Sequence, residues 1–190
     1  MSSTEDRWTP PSAWCPNPQW WHSGDNPESA EEEITALVMA LVYATQPEIM
    51  VETGTAAGDT ALACGRALHA NGHGHLWTVE IDEDAAKQAR ELVEGLPVTV
   101  ECMNSLDWNP PGPIDLAWID SGAADVRAGE IRKWAIDGKF RPGALVAVHD
   151  TAPNMGRERL TAALAGLLAD LGWQSVPLRT PRGITLIAVP

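Results

Sequence analysis

Ile49-Met50-Val51-Glu52-Thr53-Gly54-Thr55-Ala56-Ala57-Gly58 joins an apolar run to a glycine-bracketed turn, and the rest of the chain is arranged around it. Ile49 to Val51 is a short apolar run, long enough for a buried strand, and Glu52 closes it with a carboxylate. Gly54 and Gly58 bracket a turn of small residues, and Asp59 to His69 follows with helix-compatible composition. A strand, a tight glycine turn and a helix form the first half of a nucleotide-binding βαβ unit. Glycine at such a turn permits positive φ and lets a ligand approach the backbone without meeting a Cβ.

The residues of the turn narrow the ligand. A phosphate cradle would end in Gly-Lys-Ser/Thr, which is absent here. A dinucleotide fingerprint would place its second glycine where Ala56 stands. An acidic residue ahead of the turn repels phosphate and suits a cationic or amine-bearing ligand. The plain alternative is a structural turn that holds no ligand. A second signal follows at His75 to Ile81, a second strand carrying Glu80 at its end, twenty-six residues beyond Gly54. A carboxylate at that place grips ribose hydroxyls in folds of this kind, since its two oxygens accept from two hydroxyl donors. The plain alternative there is a solvated charge.

Val51-Glu52-Thr53-Gly54-Thr55-Ala56-Ala57-Gly58 and Thr78-Val79-Glu80-Ile81-Asp82 resemble the first two motifs of the class I S-adenosylmethionine-dependent methyltransferases. Trp118-Ile119-Asp120-Ser121-Gly122 and Val148-His149-Asp150-Thr151 resemble the small O-methyltransferase branch that includes macrocin-type and catechol-type enzymes. The resemblance covers residues 30 to 190. It implies a Rossmann-like methyltransferase fold and a cofactor, S-adenosylmethionine. It also implies cofactor contacts at Glu52, Gly54, Thr55, Ala56, Gly58, Thr60, Glu80 and Ile81, and farther along at Asn104, Ser105 and Asp120. In the family the residues after the third strand contact adenine, often through an acidic side chain. Asn104 is an amide, which both donates to and accepts from a purine edge.

Composition sets the outer bounds. The chain has 190 residues, 44 % hydrophobic and 21 % charged, which suits one globular domain with its own core. No apolar run approaches the roughly eighteen residues of a membrane span, and the first residues lack a basic region followed by an apolar core. Cytoplasmic location is the expectation. Cys15, Cys64 and Cys102 are odd in number and far apart, which predicts neither a metal pair nor a disulfide scaffold. A net charge of −13 opposes binding to phosphate backbones, so a nucleic-acid substrate ranks low. No membrane partner is expected either.

Residues 1–27 form a Pro- and Trp-rich arm ahead of the cofactor-binding domain at 28–190. Pro10, Pro11, Pro16, Pro18 and Pro27 prevent a long helix or central strand, while Trp8, Trp14, Trp20 and Trp21 are too apolar for a solvated tail. The arm either packs its indoles over the domain or walls a substrate site, and such arms often pack on a second subunit, which leaves a homodimer open. His22 is read as a loop residue or a site-lining one. Ser29 to Ala44 is predicted as a helix, with Ser29 as N-cap, Glu32 completing a capping box and Glu31 to Glu33 favouring the positive end. That run of glutamates reads as a cap rather than a metal site.

Further on, Asp82–Glu94, Val126–Ile136 and Arg157–Leu171 are predicted helices. Pro97–Cys102, Ile114–Ile119, Ala144–Val148, Trp173–Leu178 and Ile184–Val189 are predicted strands, with Arg141-Pro142-Gly143 as a turn. The order predicts a doubly wound, mostly parallel, seven-stranded α/β sheet with an antiparallel last strand. Ligands bind such sheets at the strands' carboxyl ends, where Glu52, Glu80, Asn104, Asp120, His149 and Asp150 all fall.

The implied reaction is methyl transfer from a sulfonium to a hydroxyl oxygen of a small molecule, which requires alignment and a deprotonated nucleophile. A divalent cation such as Mg2+ or Mn2+ could activate that oxygen. Asp120 and Asp150 match the metal-binding acids of metal-dependent relatives, and His149 a third ligand found in some of them. The alternatives are that the two aspartates cap loops and bind cofactor, and that His149 is the general base. Asp120 and His149 are thus the catalytic candidates, and His149→Ala is expected to stop turnover while sparing cofactor affinity. The branch usually carries a His or Lys a few residues past the position of Asp120, whereas this chain has Ser121-Gly122-Ala123-Ala124. Two rival readings follow: a catalytically silent cofactor-binding or interaction protein, and an NAD-dependent oxidoreductase on a similar fold. A nucleic-acid methyltransferase is disfavoured, because Asn109-Pro110-Pro111-Gly112 lacks the aromatic that stacks on a flipped base.

Overall fold

The computed structural model describes residues 12–22, 29–122, 124–153 and 158–190, excluding the side chains of 124 and 158. Trp8, Pro10, Pro11, Pro27, Ala123 and the expected helix start at Arg157 lie outside them. Seven strands form one sheet: β1 (Ile49–Thr53), β2 (His75–Glu80), β3 (Val98–Cys102), β4 (Ile114–Ile119), β5 (Phe140–His149), β6 (Gln174–Leu178) and β7 (Ile184–Ala188). Their order is β3-β2-β1-β4-β5-β7-β6. β1 to β5 are parallel, and β7 runs antiparallel to both β5 and β6, as predicted.

Central strands covered on both faces sort alternate side chains into two cores. Met50 of β1 and Trp118 of β4 pack with Ile34, Val38, Cys64 and Leu68, from helices α1 (Glu32–Thr45) and α2 (Asp59–Asn71). Ala86 and Ala89 of α3 (Glu83–Leu92) join them. The neighbouring Val51 and Ile119 face the other way. They meet Ile131 and Trp134 of α4 (Ala124–Ile136) and Leu160, Leu164 and Leu167 of α5 (Glu158–Leu171). The leucine stripe of α5 is therefore core.

Two local expectations are corrected. α1 begins at Glu32 and not at Ser29, and Glu31, at the N-cap position, makes no side-chain capping bond. The expected cap, Ser29, donates its hydroxyl to the Asp59 carboxylate, and the residue at the observed N-cap position, Glu31, is buried against His149. Arg141-Pro142-Gly143 does not end a strand. β5 runs through it from Phe140, and the register against β4 shifts from Ile114↔Phe140 to Leu116↔Leu145. The extra residues are absorbed as a bulge, with Gly143 at φ +84°.

In the arm, the Trp14 indole N–H donates to the Thr180 carbonyl at 3.1 Å, and Trp21 packs against the α1–α2 core. Trp20 stays 70 % exposed. Among the described residues, no helix is long and apolar enough to cross a membrane.

Candidate active site

The strand order reverses between β1 and β4, and the crevice at such a switch point is where open α/β sheets bind ligands. A cavity of about 240 Å³ opens there, at the carboxyl ends of β1 to β4. Gly54 and Ala56 form one wall, Glu80 and Ile81 the next, Asn104 and Ser105 a third, and Asp120 the fourth. Gly54, at φ +79°, lies so close to the end of β4 that a Cβ would sit 2.6 Å from the Asp120 carbonyl oxygen. Only glycine allows that approach.

Glu80 organises the β1–β2 side through backbone donors. Its carboxylate accepts from the Ala56 amide at 2.8 Å and from the amides of Ile81 and Asp82 at 2.8 and 3.0 Å. Both oxygens are thereby fixed at the cavity wall. Asn104 accepts from the Leu106 amide at 3.0 Å through its carbonyl oxygen, which directs its NH2 group to other acceptors. Ile81 stands 70 % exposed at the rim.

Other predicted contacts lie off the main cavity. Thr55 and Thr60 line a small adjoining recess. Gly58 serves helix packing, since a Cβ there would meet Ala89 at 3.1 Å. Ser105, unlike these, stays on the main cavity's wall and also bonds to Glu130, a buried carboxylate of α4 that accepts from Ser121 at 2.6 Å and Thr53 at 3.0 Å. Glu52 is buried on β1, and one of its oxygens has no hydrogen-bond partner. Burial above all, aided by the charges of Asp120 and Glu80, pushes its carboxyl up to about 8, so it is protonated at neutral pH.

The opposite wall is a cluster of buried charges. His149, fully buried at the end of β5, faces Asp120 from Nδ1 at 3.0 Å and Glu31 from Nε2 at 2.8 Å. Burial alone would lower its pKa. The carboxylates of Asp120, Glu31 and Asp150 outweigh that and lift it to about 9. At neutral pH it is an imidazolium donating from both nitrogens. With both nitrogens engaged by carboxylates, this geometry does not favour the general-base alternative. Arg127 of α4 donates to the His149 carbonyl at 2.6 Å and to the Ser121 carbonyl, and lies 3.2 Å from Asp120 and 3.3 Å from Asp150. Arg182, from the loop between β6 and β7, lies 2.7 Å from Asp150. His149, Arg182 and Arg127 hold the Asp150 carboxyl far below the usual carboxylate range, against its burial. Asp150 takes up a left-handed backbone at φ +61°. Strain in a non-glycine residue is often stored at functional sites.

Sequence reasoning missed Glu31, Arg127, Glu130 and Arg182. Arg127 and Glu130 stand three apart on one helix, so their shared face was readable. Glu31 and Arg182 gave no local signal. His22, read as a loop or site-lining residue, is exposed and pairs with Glu33 at 2.6 Å instead of lining the cavity.

The metal reading meets this geometry directly. Asp120, His149 and Asp150 each offer a donor atom within 4.8 Å of the others, a spacing a cation could use. Those atoms already serve two guanidiniums and the imidazolium N–H, so the cluster does not fit a resident divalent metal.

A family model described as a methyltransferase domain matches residues 51–151, more than half of the chain. The fold is shared with the SAH-bound methyltransferase PaMTH1 of Podospora anserina, with a TM-score of 0.74, 16 % identity, and coverage of 86 % of this chain and 80 % of that one. It is shared with the SAM-bound O-methyltransferase TomG of Streptomyces achromogenes, involved in tomaymycin synthesis (TM-score 0.66, 22 % identity, coverage 86 % and 82 %). It is shared too with an SAH-bound O-methyltransferase of Bacillus cereus (TM-score 0.67, 17 % identity, coverage 86 % and 83 %). No curated protein matches the sequence. With a switch-point cavity floored by the glycine turn and a family match that spans both, the chain belongs to the methyltransferase-domain family.

Proposed function

We propose that this protein transfers a methyl group from S-adenosylmethionine to a hydroxyl oxygen of a small-molecule acceptor: the C–O bond forms as the sulfonium C–S bond breaks, S-adenosylhomocysteine leaves, and the hydroxyl proton passes to water. The observation that carries the reading is the Glu80 carboxylate, fixed by three backbone amides at the wall of the switch-point cavity. That placement suits ribose hydroxyls, with Asn104 offered to a purine edge and Ile81 covering the base. The lining is mixed in charge: Glu80 and Asp120 give a sulfonium and an ammonium carboxylate neighbours, while Arg127 and Arg182 stand on the Asp120 side. S-adenosylmethionine supplies an electrophilic methyl group on a sulfonium.

The chain's own residues bind, orient and exclude water. Asp120 faces the cavity, held by His149 and Arg127, and is the residue proposed to orient the acceptor. His149 acts through Asp120 as a positioning residue. The net charge of −13 favours a small molecule over nucleic acid as acceptor.

Calorimetric titration with S-adenosylmethionine tests the reading. Saturable binding is expected, and Glu80→Ala should weaken it by about tenfold, the loss of roughly one charge-assisted hydrogen bond. No binding by the wild type would sink the proposal.

A second reading has one observation in its favour. Among the described residues, no His or Lys lines the cavity, which would suit a catalytically silent cofactor-binding module. That module would bind the cofactor yet release no S-adenosylhomocysteine with any hydroxylated acceptor.

A further inference from the structure

The cluster at the ends of β4 and β5 has the donor atoms of a cation site, and cations of the protein's own already stand in it. Arg182 meets Asp150 as a fork, with Nε 2.7 Å from Oδ1 and Nη2 3.1 Å from Oδ2. Arg127 Nη2 lies 3.2 Å from Asp120 Oδ1 and 3.3 Å from Asp150 Oδ2. The other Asp120 oxygen faces His149 Nδ1 at 3.0 Å. Every carboxylate oxygen of the two aspartates therefore has a nitrogen donor on it. Three carboxylates, of Glu31, Asp120 and Asp150, face three cationic side chains, of His149, Arg127 and Arg182.

Arg182 is built into this position and does not merely drift over it. Its Nη1 donates to the Ser29 carbonyl at 2.9 Å, and its backbone amide to Glu31 Oε1 at 3.2 Å. The next residue, Gly183, packs so tightly on the chain after β5 that a Cβ would fall 2.1 Å from the Ala152 nitrogen. The same hairpin is held from outside by Trp14 on the Thr180 carbonyl. A divalent ion entering the cluster would have to displace a forked guanidinium from a buried carboxylate or sit beside two of them, and like charges at such range repel strongly in a poorly solvated site.

We propose that the guanidinium of Arg182, with Arg127 beside it, takes the place of a divalent cation at Asp120, His149 and Asp150, making this a metal-independent site. The proposal concerns the site of the proposed methyl transfer, but its test does not depend on that reaction. Mn2+ is titrated into the full-length protein alone, and the free-ion signal is followed by electron paramagnetic resonance. Wild type is expected to leave the signal unchanged. Arg182→Ala should uncover the donor set and raise Mn2+ affinity by about tenfold or more, a gain that Asp150→Asn added to it should abolish. Saturable Mn2+ binding by the wild type that Asp150→Asn removes would overturn the proposal. So would a folded Arg182→Ala protein that binds Mn2+ no better than wild type. Arg182→Gln, which retains hydrogen-bonding capacity, stands in if the alanine variant does not fold, and the wild-type titration decides in either case. Failure to bind S-adenosylmethionine in the calorimetry would sink the methyl-transfer reading and leave this one standing.

Discussion

The two walls of the crevice are built by opposite means. On the β1–β2 side, one carboxylate, Glu80, is fixed by backbone amides, two of them within two residues of it in the chain. Small residues do the rest, and Gly54 lets the turn close on β4. On the β4–β5 side, side chains hold side chains. Glu31 and His149 are 118 positions apart, and Glu31 and Arg182 are 151. The first wall is preorganised by local backbone geometry, the second by a balance of buried charge. A wall of the second kind adds little net stability as a whole, because desolvation offsets attraction, yet losing any one member strands a buried partner.

That contrast gives its largest expected effect at His149. His149→Ala removes the donor to two carboxylates, Glu31 and Asp120, and should cost about 3–5 kcal/mol of stability. Urea denaturation measures it. A midpoint equal to wild type would break the comparison, since the cluster would then not depend on its balance. The loss of turnover expected from this substitution would accordingly arrive together with a loss of stability and would not report a missing base.

Glu52 is the next test, as the buried acid on the backbone-built side, one of whose oxygens is unpartnered. Its folded-state pKa lies at about 8, above the ordinary 4.5, so the folded state binds its proton more tightly than the unfolded state does. Its contribution is therefore fully present below about pH 4.5 and is lost as pH rises through about 8. Each tenfold difference in proton affinity between the two states is worth about 1.4 kcal/mol, so wild type should lose roughly 3 kcal/mol from this group between about pH 5 and 8. Glu52→Gln should flatten that slope. Parallel stability–pH curves for the two proteins would show that Glu52 is not the group responsible.

The smallest effect belongs to the exposed counterpart of the cluster. Arg141 pairs with Asp115 at 2.5 Å and Glu48 at 3.1 Å, but its side chain is 44 % exposed. Screening by solvent limits Arg141→Ala to about 1 kcal/mol or less, and salt at about 1 M should erase the difference in thermal melts. A loss as large as that from His149→Ala would remove the distinction between buried and exposed pairs.

The wall that sequence reading described well is the one whose bonds are local. Gly54 and Glu80 sit at strand ends that hydrophobic runs mark out, and the cavity forms at those ends. The misreadings have one cause. Ser29, Glu31 and Glu32 have the composition of a helix cap, and only a partner far along the chain turns Glu31 into a site residue. Arg141-Pro142-Gly143 has the composition of a turn, and only the pairing with β4 on either side of it, Phe140 with Ile114 and Leu145 with Leu116, makes it part of one strand.

By itself the sequence determined the strands, the helices, the parallel doubly wound sheet and the edge where a ligand meets it. Periodic burial and glycine turns act over a few residues and leave their pattern in any window that contains them. Folding alone brings Glu31 and Arg182 upon His149 and Asp150, sets His149 between two carboxylates, and places guanidiniums on the apparent metal ligands. Charges find their partners through space, and in the low-dielectric interior the identity of the partner, not of the residue, fixes what each group can do.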